Sequence, residues 1–312
     1  MSHNIKELLA QYLEYVEVEK GRSAKTVENY HRYLKKFFEW ANAKSSNDIT
    51  QELVRKYRVY LNRLKSERGE PLKKATQNYH VIALRSFLKY LGKRGIHALA
   101  PEQVELGKQE QREVAFLEWK DLKRLLASPE GNDIVALRDR AMLETLFSTG
   151  LRVSELTRLN REHINLERGE FAVRGKGGKI RVVFLSESAK RALEKYLGAR
   201  GDTDAALFVR IGKLKKGEKE SARQHRESDL RLTSRSVERM VKKYAAKAGI
   251  VERVVPHTLR HSYATDLLRN GADIRSVQAL LGHSSITTTQ IYTHVTDKQL
   301  REIYQKYHGR QK

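Results

Sequence analysis

Five short segments in the second half of the chain carry side chains that could hold and process an anion. They are 149–156, 175–179, 256–260, 281–285 and the single residue Tyr292. Arginine presents a planar, permanently charged fork that can bind a phosphate through two hydrogen bonds, and histidine can exchange protons near neutral pH. This combination favours chemistry on a phosphate group. The candidate side chains are Arg152, Glu155, Lys176, His257, Arg260, His283 and Tyr292.

Each segment taken alone has an ordinary structural explanation. A single arginine is more often a surface cation, and Tyr292 is one of 14 tyrosines. The glycine-rich run 175–179 lacks the Gly-x-x-x-x-Gly-Lys-[Ser/Thr] spacing of a nucleotide-binding P-loop, so it can be a plain hairpin turn. The histidines do not follow His-Glu-x-x-His or another obvious zinc pattern. The joint occurrence of the segments is therefore more informative than any one of them.

The elements around these residues are predicted to place them at helix ends. Gly150 ends one helix and Ser154 can cap the next, so Arg152 lies at a bend near a helix N-terminus, where an anion is favoured. A proline at position 256 suits the first turn of a further helix. Because His257 and Arg260 are three residues apart, they share one face of that helix.

Lys176 is predicted to lie at the tip of a hairpin. Residues 171–174 and 180–184 alternate apolar and polar side chains, as a pair of half-buried strands does. The run 175–179 joins them, and its glycines allow the close approach of a backbone.

The chain as a whole is predicted to be mainly α-helical, with two domains. At 312 residues it is too long for one ordinary domain. Residues 1–98 show helical spacing of apolar side chains and form a helical bundle. Residues 99–113, with Pro101 and Gly107, form an exposed linker. Residues 114–312 form a mainly helical domain that contains a small antiparallel sheet.

Two features of these domains need a choice between interpretations. Tyr30, Tyr33, Phe37 and Trp40 form one stripe of the second predicted helix, which fits a core better than a platform for base stacking. The stretch 213–235 is polar, highly charged and poor in apolar residues. It is predicted to be a long surface loop that could become ordered on DNA.

Charge points to a polyanionic partner. The formal net charge is +23, of which residues 1–98 carry +10 and the remainder +13. Both halves are thus basic, as expected if both bind one nucleic acid, whereas a protein that binds an anionic membrane surface more often concentrates its charge in one helix or tail. The chain has no cysteine, which excludes disulfides, thiolate zinc sites and cysteine catalysis. No apolar window long enough for a membrane span and no secretory signal is found, and a cytoplasmic location is expected.

Taken together, the segments follow the order Arg, Lys, His-x-x-Arg, Gly-His, Tyr, which resembles the tyrosine recombinase and integrase family, most closely its Xer-type members. The motifs that carry the resemblance are Thr149-Gly-Leu-Arg-Val-Ser-Glu-Leu156, His257-Thr-Leu-Arg-His-Ser-Tyr-Ala-Thr265 and Leu280-Leu-Gly-His-Ser-Ser-Ile-Thr-Thr-Thr-Gln-Ile-Tyr292. The likeness spans about residues 116–295. It extends more weakly to the N-terminal bundle, which looks like the family's core-binding domain. The stretch 213–235 is longer than expected for a compact Xer protein.

The resemblance implies a role for each candidate residue. Tyr292 matches the nucleophile that becomes joined to a DNA 3′-phosphate, and Lys176 matches the lysine that protonates the leaving 5′-oxygen. Arg152 and Arg260 match the two arginines that hold the scissile phosphate. An arginine pair suits this task because attack on a phosphodiester builds further negative charge on its nonbridging oxygens.

The remaining candidates match supporting positions. His257 and His283 correspond to the two histidines that flank the phosphate, the first as a hydrogen-bond donor and the second as a positioning group. Glu155 corresponds to an acidic residue that supports the site. The tyrosyl phosphodiester keeps much of the energy of the broken bond, so rejoining needs no ATP. The resemblance implies neither a metal ion nor another cofactor.

The resemblance also implies partners. These are double-stranded DNA with an inverted-repeat site, further copies of the chain or a paralogous recombinase, and a DNA translocase. Four protomers would exchange strands in pairs through a Holliday junction. The biological role would be chromosome dimer resolution or the integration and excision of a mobile element. Thr296-Asp-Lys-Gln299 is a capping-box pattern that predicts a final helix, whose apolar stripe packs on its own domain or on the next protomer. That stripe consists of Leu300, Ile303, Tyr304 and Tyr307.

Two other classes of protein remain as alternatives. A type IB topoisomerase also uses a tyrosine nucleophile, but it would relax supercoiled DNA as a monomer. A noncatalytic DNA-binding protein, such as an architectural factor, would not need Tyr292, Arg152 and Arg260 together. Formation of a covalent adduct with DNA distinguishes this last class from both enzymes.

Overall fold

The computed structural model describes residues 4–65, 69–107, 115–175, 178–211 and 230–283, together with Ser285 and Thr289. The chain divides into two compact units, Met1–Arg112 and Glu113–Lys312. Helices dominate the described part of both units, and its strands form one two-stranded antiparallel sheet. The predicted mainly helical fold with a small antiparallel sheet is confirmed.

The first unit contains four long helices around an aromatic core. They are α1 (Ile5–Glu17), α2 (Ala24–Ala41), α3 (Gln51–Arg63) and α4 (Lys74–Lys93). Side chains of Asn4, Ser23 and Thr50 accept hydrogen bonds from backbone N–H groups at the starts of α1, α2 and α3, which satisfies donors that the helices leave unbonded. The core fills with regularly spaced apolar residues, including Tyr12, Phe37, Tyr57 and Phe87.

The aromatic stripe of α2 belongs to this core. Phe37 is buried, and Tyr30, Tyr33 and Trp40 are partly buried against the same cluster. Trp40 lies 5.1 Å from the ring of Tyr57, within the range of a favourable aromatic contact. The stripe therefore stabilises the bundle.

The predicted linker 99–113 starts too early. A short 3₁₀ helix, Pro101–Gln103, follows α4, and Val104 is only 1% exposed within the core of the bundle. The side chain of Asn78 donates to the carbonyl of Gly107 at 2.9 Å and accepts from its N–H at 3.1 Å. Residues 99–107 thus pack onto the first unit, because Pro101 begins a 3₁₀ helix and Asn78 satisfies the backbone of Gly107. Residues 108–113 of the linker prediction lie outside the described residues.

The second unit surrounds α6 (Ile134–Thr149), which packs against three helices and one strand of the same unit. Most of its faces are apolar, so ten of its 16 residues are buried. The other helices are α5 (Trp119–Ala127), α7 (Val153–Leu156), α8 (Glu187–Gly198), α9 (Ser234–Lys247), α10 (Pro256–Arg269) and α11 (Ile274–Leu281).

The hairpin consists of β1 (Glu170–Arg174) and β2 (Ile180–Phe184), which pair antiparallel with Val173 opposite Arg181. The predicted strands agree with these bounds to within one residue. Because strand side chains alternate, Phe171, Val173 and Val183 face the core.

The base of the turn is closed by a hydrogen bond from the N–H of Gly175 to the carbonyl of Lys179, at 2.7 Å. Lys176 and Gly177 lie outside the described residues.

The predicted loop 213–235 extends too far at its C-terminal end. Arg231 pairs with Val209, Leu232 is buried, and α9 begins at Ser234 with Thr233 as its cap. The ordered segment before α9 was missed because charged residues surround its single buried leucine in the sequence. Residues 212–229 lie outside the described residues. In the part of the chain that is described, no helix is long and apolar enough to cross a membrane.

Candidate active site

The turn after α6 sets the position of Arg152. Gly150 ends α6 with φ of 59°, and a Cβ atom there would lie 2.5 Å from the ring of Tyr263, so the turn requires glycine. Arg152 then occupies the N-cap position of α7. The prediction that Ser154 caps this helix is wrong, since Glu155 accepts the N–H of Arg152 at 2.9 Å and closes the turn. Because α7 has only four residues, its dipole is small. An anion at this helix end would therefore be bound mainly by side chains.

Glu155 lies between two arginines. One carboxylate oxygen accepts from Nη1 of Arg152 at 2.9 Å and from Nη1 of Arg181 at 3.1 Å. The other accepts from the N–H of Arg152 and from Nη2 of Arg181, at 2.9 and 2.8 Å. The carboxylate therefore makes four hydrogen bonds and holds the Arg152 guanidinium, whose side chain is 31% exposed.

The same bonds fix the charge of Glu155. Burial alone would raise the pKa of this carboxyl group, but the hydrogen bonds and positive charges of Arg181 and Arg152 outweigh burial and lower the pKa to about 2. Glu155 is thus ionised at neutral pH. Glu155 is bonded to Arg152 and Arg181, and a third arginine, Arg260, lies near enough to lower the pKa of both His257 and His283. With one carboxylate and three arginines, the cluster keeps an excess of positive charge.

Arg260 is the most deeply buried cation of the cluster, with 1% of its surface exposed. It lies on α10, and its guanidinium donates to the carbonyls of Gly150 and Leu281, both at 2.6 Å. These carbonyls belong to the last turns of α6 and α11, where helices leave acceptors unbonded. Arg260 therefore ties the segment of Arg152 to the segment of His283.

His257 lies one helical turn before Arg260, as the spacing predicts, and its ring is 4.4 Å from the ring of His261. Desolvation by neighbouring atoms, together with the positive charges of Arg260 and Arg152, lowers the pKa of His257. The ring is exposed at the surface of the unit, beside the partly exposed Arg152. These two donors are accessible to a ligand from solvent.

His283 follows α11 directly, after the left-handed turn at Gly282. Burial and the charges of Arg260, Arg152, His257 and Arg181 lower its pKa to about 4, so its imidazole is neutral at pH 7. Its Nδ1 lies 2.9 Å from the hydroxyl of the buried Thr289. In the tautomer in which that hydroxyl donates to Nδ1, the ring N–H is on Nε2 and can donate to an anion.

Five of the seven sequence-predicted residues thus meet in one place. Arg152, Glu155, His257, Arg260 and His283 are linked by hydrogen bonds or act on one another's pKa. The other two, Lys176 and Tyr292, lie outside the described residues, although Gly175, directly before Lys176, would place a Cβ atom 3.6 Å from Glu155.

Sequence reasoning missed two members of the cluster. Arg181 is a charged residue at a strand position that faces inward, opposite the buried Val173. That break in the apolar alternation was an available signal. His261 lies four residues after His257 on the same helix, and this spacing places it beside His257. Burial, first, and the charges of His257, Arg260 and His283 lower the pKa of His261 to about 3.

Comparison with known proteins matches both units to one family. The model of the phage integrase family covers residues 115–299, and that of the phage integrase N-terminal SAM-like domain covers residues 9–95. Tyrosine recombinase XerC of Pelobacter propionicus is 38% identical over 94% of this chain and 92% of its own length. Tyrosine recombinase XerD of Listeria innocua is 36% identical, over 97% and 99%. A crystal structure of XerH bound to palindromic difH has a similar fold, with a TM-score of 0.68 at 23% identity over 95% of this chain and 84% of that one.

The cationic cluster, the helical units and these matches define a DNA-recombining enzyme. The chain belongs to the phage integrase family of tyrosine recombinases. Its function is site-specific DNA recombination of the Xer type.

Proposed function

We propose that Tyr292 carries out the DNA cleavage of this recombinase, on a phosphate held by Arg152 and Arg260. The observation that supports this is that His283, the accessible Arg152 and His257, and the buried Arg260 together form one positively charged site, although more than 100 residues separate the two arginines. Fixed donors of this kind stabilise the extra charge of a pentavalent phosphate without reorganising during the reaction.

In the proposed reaction, the Tyr292 oxygen attacks the phosphorus as its hydroxyl gives its proton to solvent water. The bond from phosphorus to the DNA 5′-oxygen breaks, and Lys176 gives that oxygen a proton. A 3′-phosphotyrosyl bond remains. A 5′-hydroxyl of the partner strand then attacks the phosphorus and returns a proton to Lys176. The bond from phosphorus to Tyr292 breaks, Tyr292 regains a proton from solvent, and the strands are joined. His257 donates to a nonbridging oxygen, His283 positions the phosphate, and Glu155 holds Arg152.

The proposed substrate is double-stranded DNA that carries an inverted repeat. The net charge of +23 and the palindromic site of the XerH complex support this. We further propose that four copies synapse two such sites and exchange strands through a Holliday junction, alone or with a paralogous recombinase. Since relatives are named XerC and XerD, as the Xer-type resemblance implies, we also propose a cytoplasmic role in chromosome dimer resolution, linked to chromosome partition and cell division, with a DNA translocase as partner. Integration or excision of a mobile element is the second candidate role.

Covalent trapping tests the proposed chemistry. Duplexes that the protein binds are first selected from a randomised library. Each is then nicked close to the cleavage position, so that the short piece carrying the new 5′-hydroxyl diffuses away after cleavage. The protein cannot rejoin the strand and stays attached to the 3′-phosphate. We expect an adduct that survives denaturation, with the nucleotide on the peptide that contains Tyr292. Relaxation of supercoiled plasmid without a site by the monomer would indicate a topoisomerase instead. Specific binding with no adduct under any condition would indicate a noncatalytic DNA-binding protein.

Removal of residues 297–312 tests the proposed assembly. We expect single-site binding to stay nearly intact while synapsis and recombination fall, because the apolar stripe at Leu300, Ile303, Tyr304 and Tyr307 would dock on the next protomer. Sedimentation with two-site DNA measures the assembly. Tetrameric synapses and full-length recombination rates in the truncated protein would show that this helix, which lies outside the described residues, is not exchanged.

A further inference from the structure

Arg181 lies where three segments of the candidate active site meet. Its position on β2 belongs to the hairpin that continues to Lys176. Its two terminal nitrogens bind the carboxylate of Glu155, at 3.1 and 2.8 Å, and its Nε donates to the carbonyl of Leu280 at 3.0 Å. The side chain is 10% exposed. One residue thus joins the hairpin, the Arg152 turn and the end of α11, three residues before His283.

Two glycines of the recognised motifs make room for this side chain. A Cβ atom on Gly282 would lie 2.9 Å from Cδ of Arg181 and 3.2 Å from its Nη1. A Cβ atom on Gly175 would lie 3.3 Å from the same Nη1. Gly282 also has φ of 64°, which favours glycine in its own right. A side chain at either position would therefore press on Arg181, so both segments run close beside this side chain.

Arg181 influences the position of Arg152 through the Glu155 carboxylate, to which both arginines bind. Glu155 accepts two bonds from each arginine, so Arg181 supplies half of the bonds that keep the carboxylate in place. A guanidinium can bind a carboxylate through two parallel bonds and still donate from Nε, whereas an ammonium group is a point donor. Lysine at this position would keep the charge and lose the geometry.

We propose that Arg181 is a positioning residue for DNA cleavage, which orients Arg152 through Glu155 and fixes the turn that carries His283 through Leu280. This inference rests on the proposed role of Arg152 and Tyr292. Arg181 acts through its neighbours. A misplacement of reacting groups by about 1 Å can lower a rate about 100-fold.

The test compares Arg181→Lys with a matched control, Arg138→Lys. Arg138 also binds a carboxylate, that of Asp139, and a backbone carbonyl, that of Val209, and its side chain is 11% exposed. It lies near the start of α6, about 18 Å along the helix from Gly150. Single-turnover cleavage of the nicked duplex, DNA affinity and the melting temperature are measured for both variants.

We expect Arg181→Lys to slow cleavage about 10- to 100-fold with DNA affinity nearly unchanged. Arg138→Lys should lower the melting temperature as much or more and leave cleavage within about threefold of the wild type. Cleavage by Arg181→Lys within that same range, or equal slowing by both variants, would overturn the proposal. Combined with Glu155→Gln, Arg181→Lys should slow cleavage less than the product of the two separate effects, because both act through one carboxylate. If the reduction in cleavage rate in the double variant equalled the product of the two single reductions, Arg181 would not act through Glu155.

A second measurement does not depend on cleavage. In the free protein, Arg152 is one of the charges that lower the pKa of His257. If Arg181→Lys releases Arg152, the His257 ring followed by NMR should titrate at higher pH than in the wild type, and Arg138→Lys should leave it unchanged. An unchanged His257 titration in Arg181→Lys would show that Arg152 is held without Arg181. The titration requires no DNA cleavage, so it tests the role of Arg181 whether or not the trapping experiment identifies Tyr292 as the nucleophile.

Discussion

Tyr292→Phe is expected to abolish DNA cleavage while leaving DNA affinity nearly unchanged. The variant lacks only the hydroxyl oxygen that would form the bond to phosphorus, so the proposed nucleophile is removed while the rest of the side chain stays. Loss of a nucleophile lowers rates by on the order of 10⁴-fold or more. Affinity depends on many phosphate contacts of a chain with a net charge of +23, so one hydroxyl contributes little. Covalent adduct formation and gel-shift binding, measured on the same duplex, check both parts.

Tyr244→Phe is a matched control for the loss of a tyrosine hydroxyl. The Tyr244 hydroxyl donates to Asp139 at 3.0 Å, in the core of the second unit. Its removal should reduce stability and leave cleavage below the melting transition within about threefold, since its hydroxyl bonds to Asp139, which is not a member of the cluster. Adduct formation by Tyr292→Phe at a measurable rate would exclude Tyr292 as the nucleophile. Loss of cleavage and binding together would show that the substitution disturbs more than one bond.

Local signals predicted the elements that position the site. Gly150 marks the end of α6, Pro256 starts α10, and the alternation of 171–174 and 180–184 gives both strands. Each of these signals concerns residues close together in the chain, where backbone geometry limits the choices. The same reasoning placed His257 and Arg260 on one helix face, and the structure adds that Arg260 reaches Gly150 and Leu281.

Contacts between distant segments were harder to predict. The bond from Arg181 to the Leu280 carbonyl spans 99 residues, and no periodicity encodes which carbonyl an inward-facing arginine will meet. The N-cap at Arg152 was missed because Ser154 is a good capping residue by type, whereas Glu155 closes the turn instead. The packing of residues 99–107 was missed for the same reason, since Asn78 supplies the partner for Gly107 from a helix 29 residues away.

Arg260→Lys is expected to lower both cleavage and stability, each by a separate mechanism. The guanidinium of Arg260 bonds two backbone carbonyls at once, and a single ammonium group at the end of a lysine cannot reach both. Each buried carbonyl left unbonded costs about 1–3 kcal/mol in the free energy of unfolding. The loss of fixed donors to the transition state lowers the rate by about 10²–10³-fold. Denaturant unfolding and single-turnover cleavage measure the two effects.

The two effects separate when Arg260→Lys and Arg138→Lys are compared well below their melting transitions. Both variants replace a buried arginine that bonds backbone carbonyl oxygen, so both should lose stability. Of the two, Arg260 bonds the carbonyls of Gly150 and Leu281, each two residues from Arg152 or His283, and lowers the pKa of His257 and His283. Cleavage should therefore fall in Arg260→Lys alone, even when both variants are fully folded and bound to DNA. If the folded Arg260→Lys protein cleaves as fast as Arg138→Lys, Arg260 has a structural role and the phosphate is held by other donors.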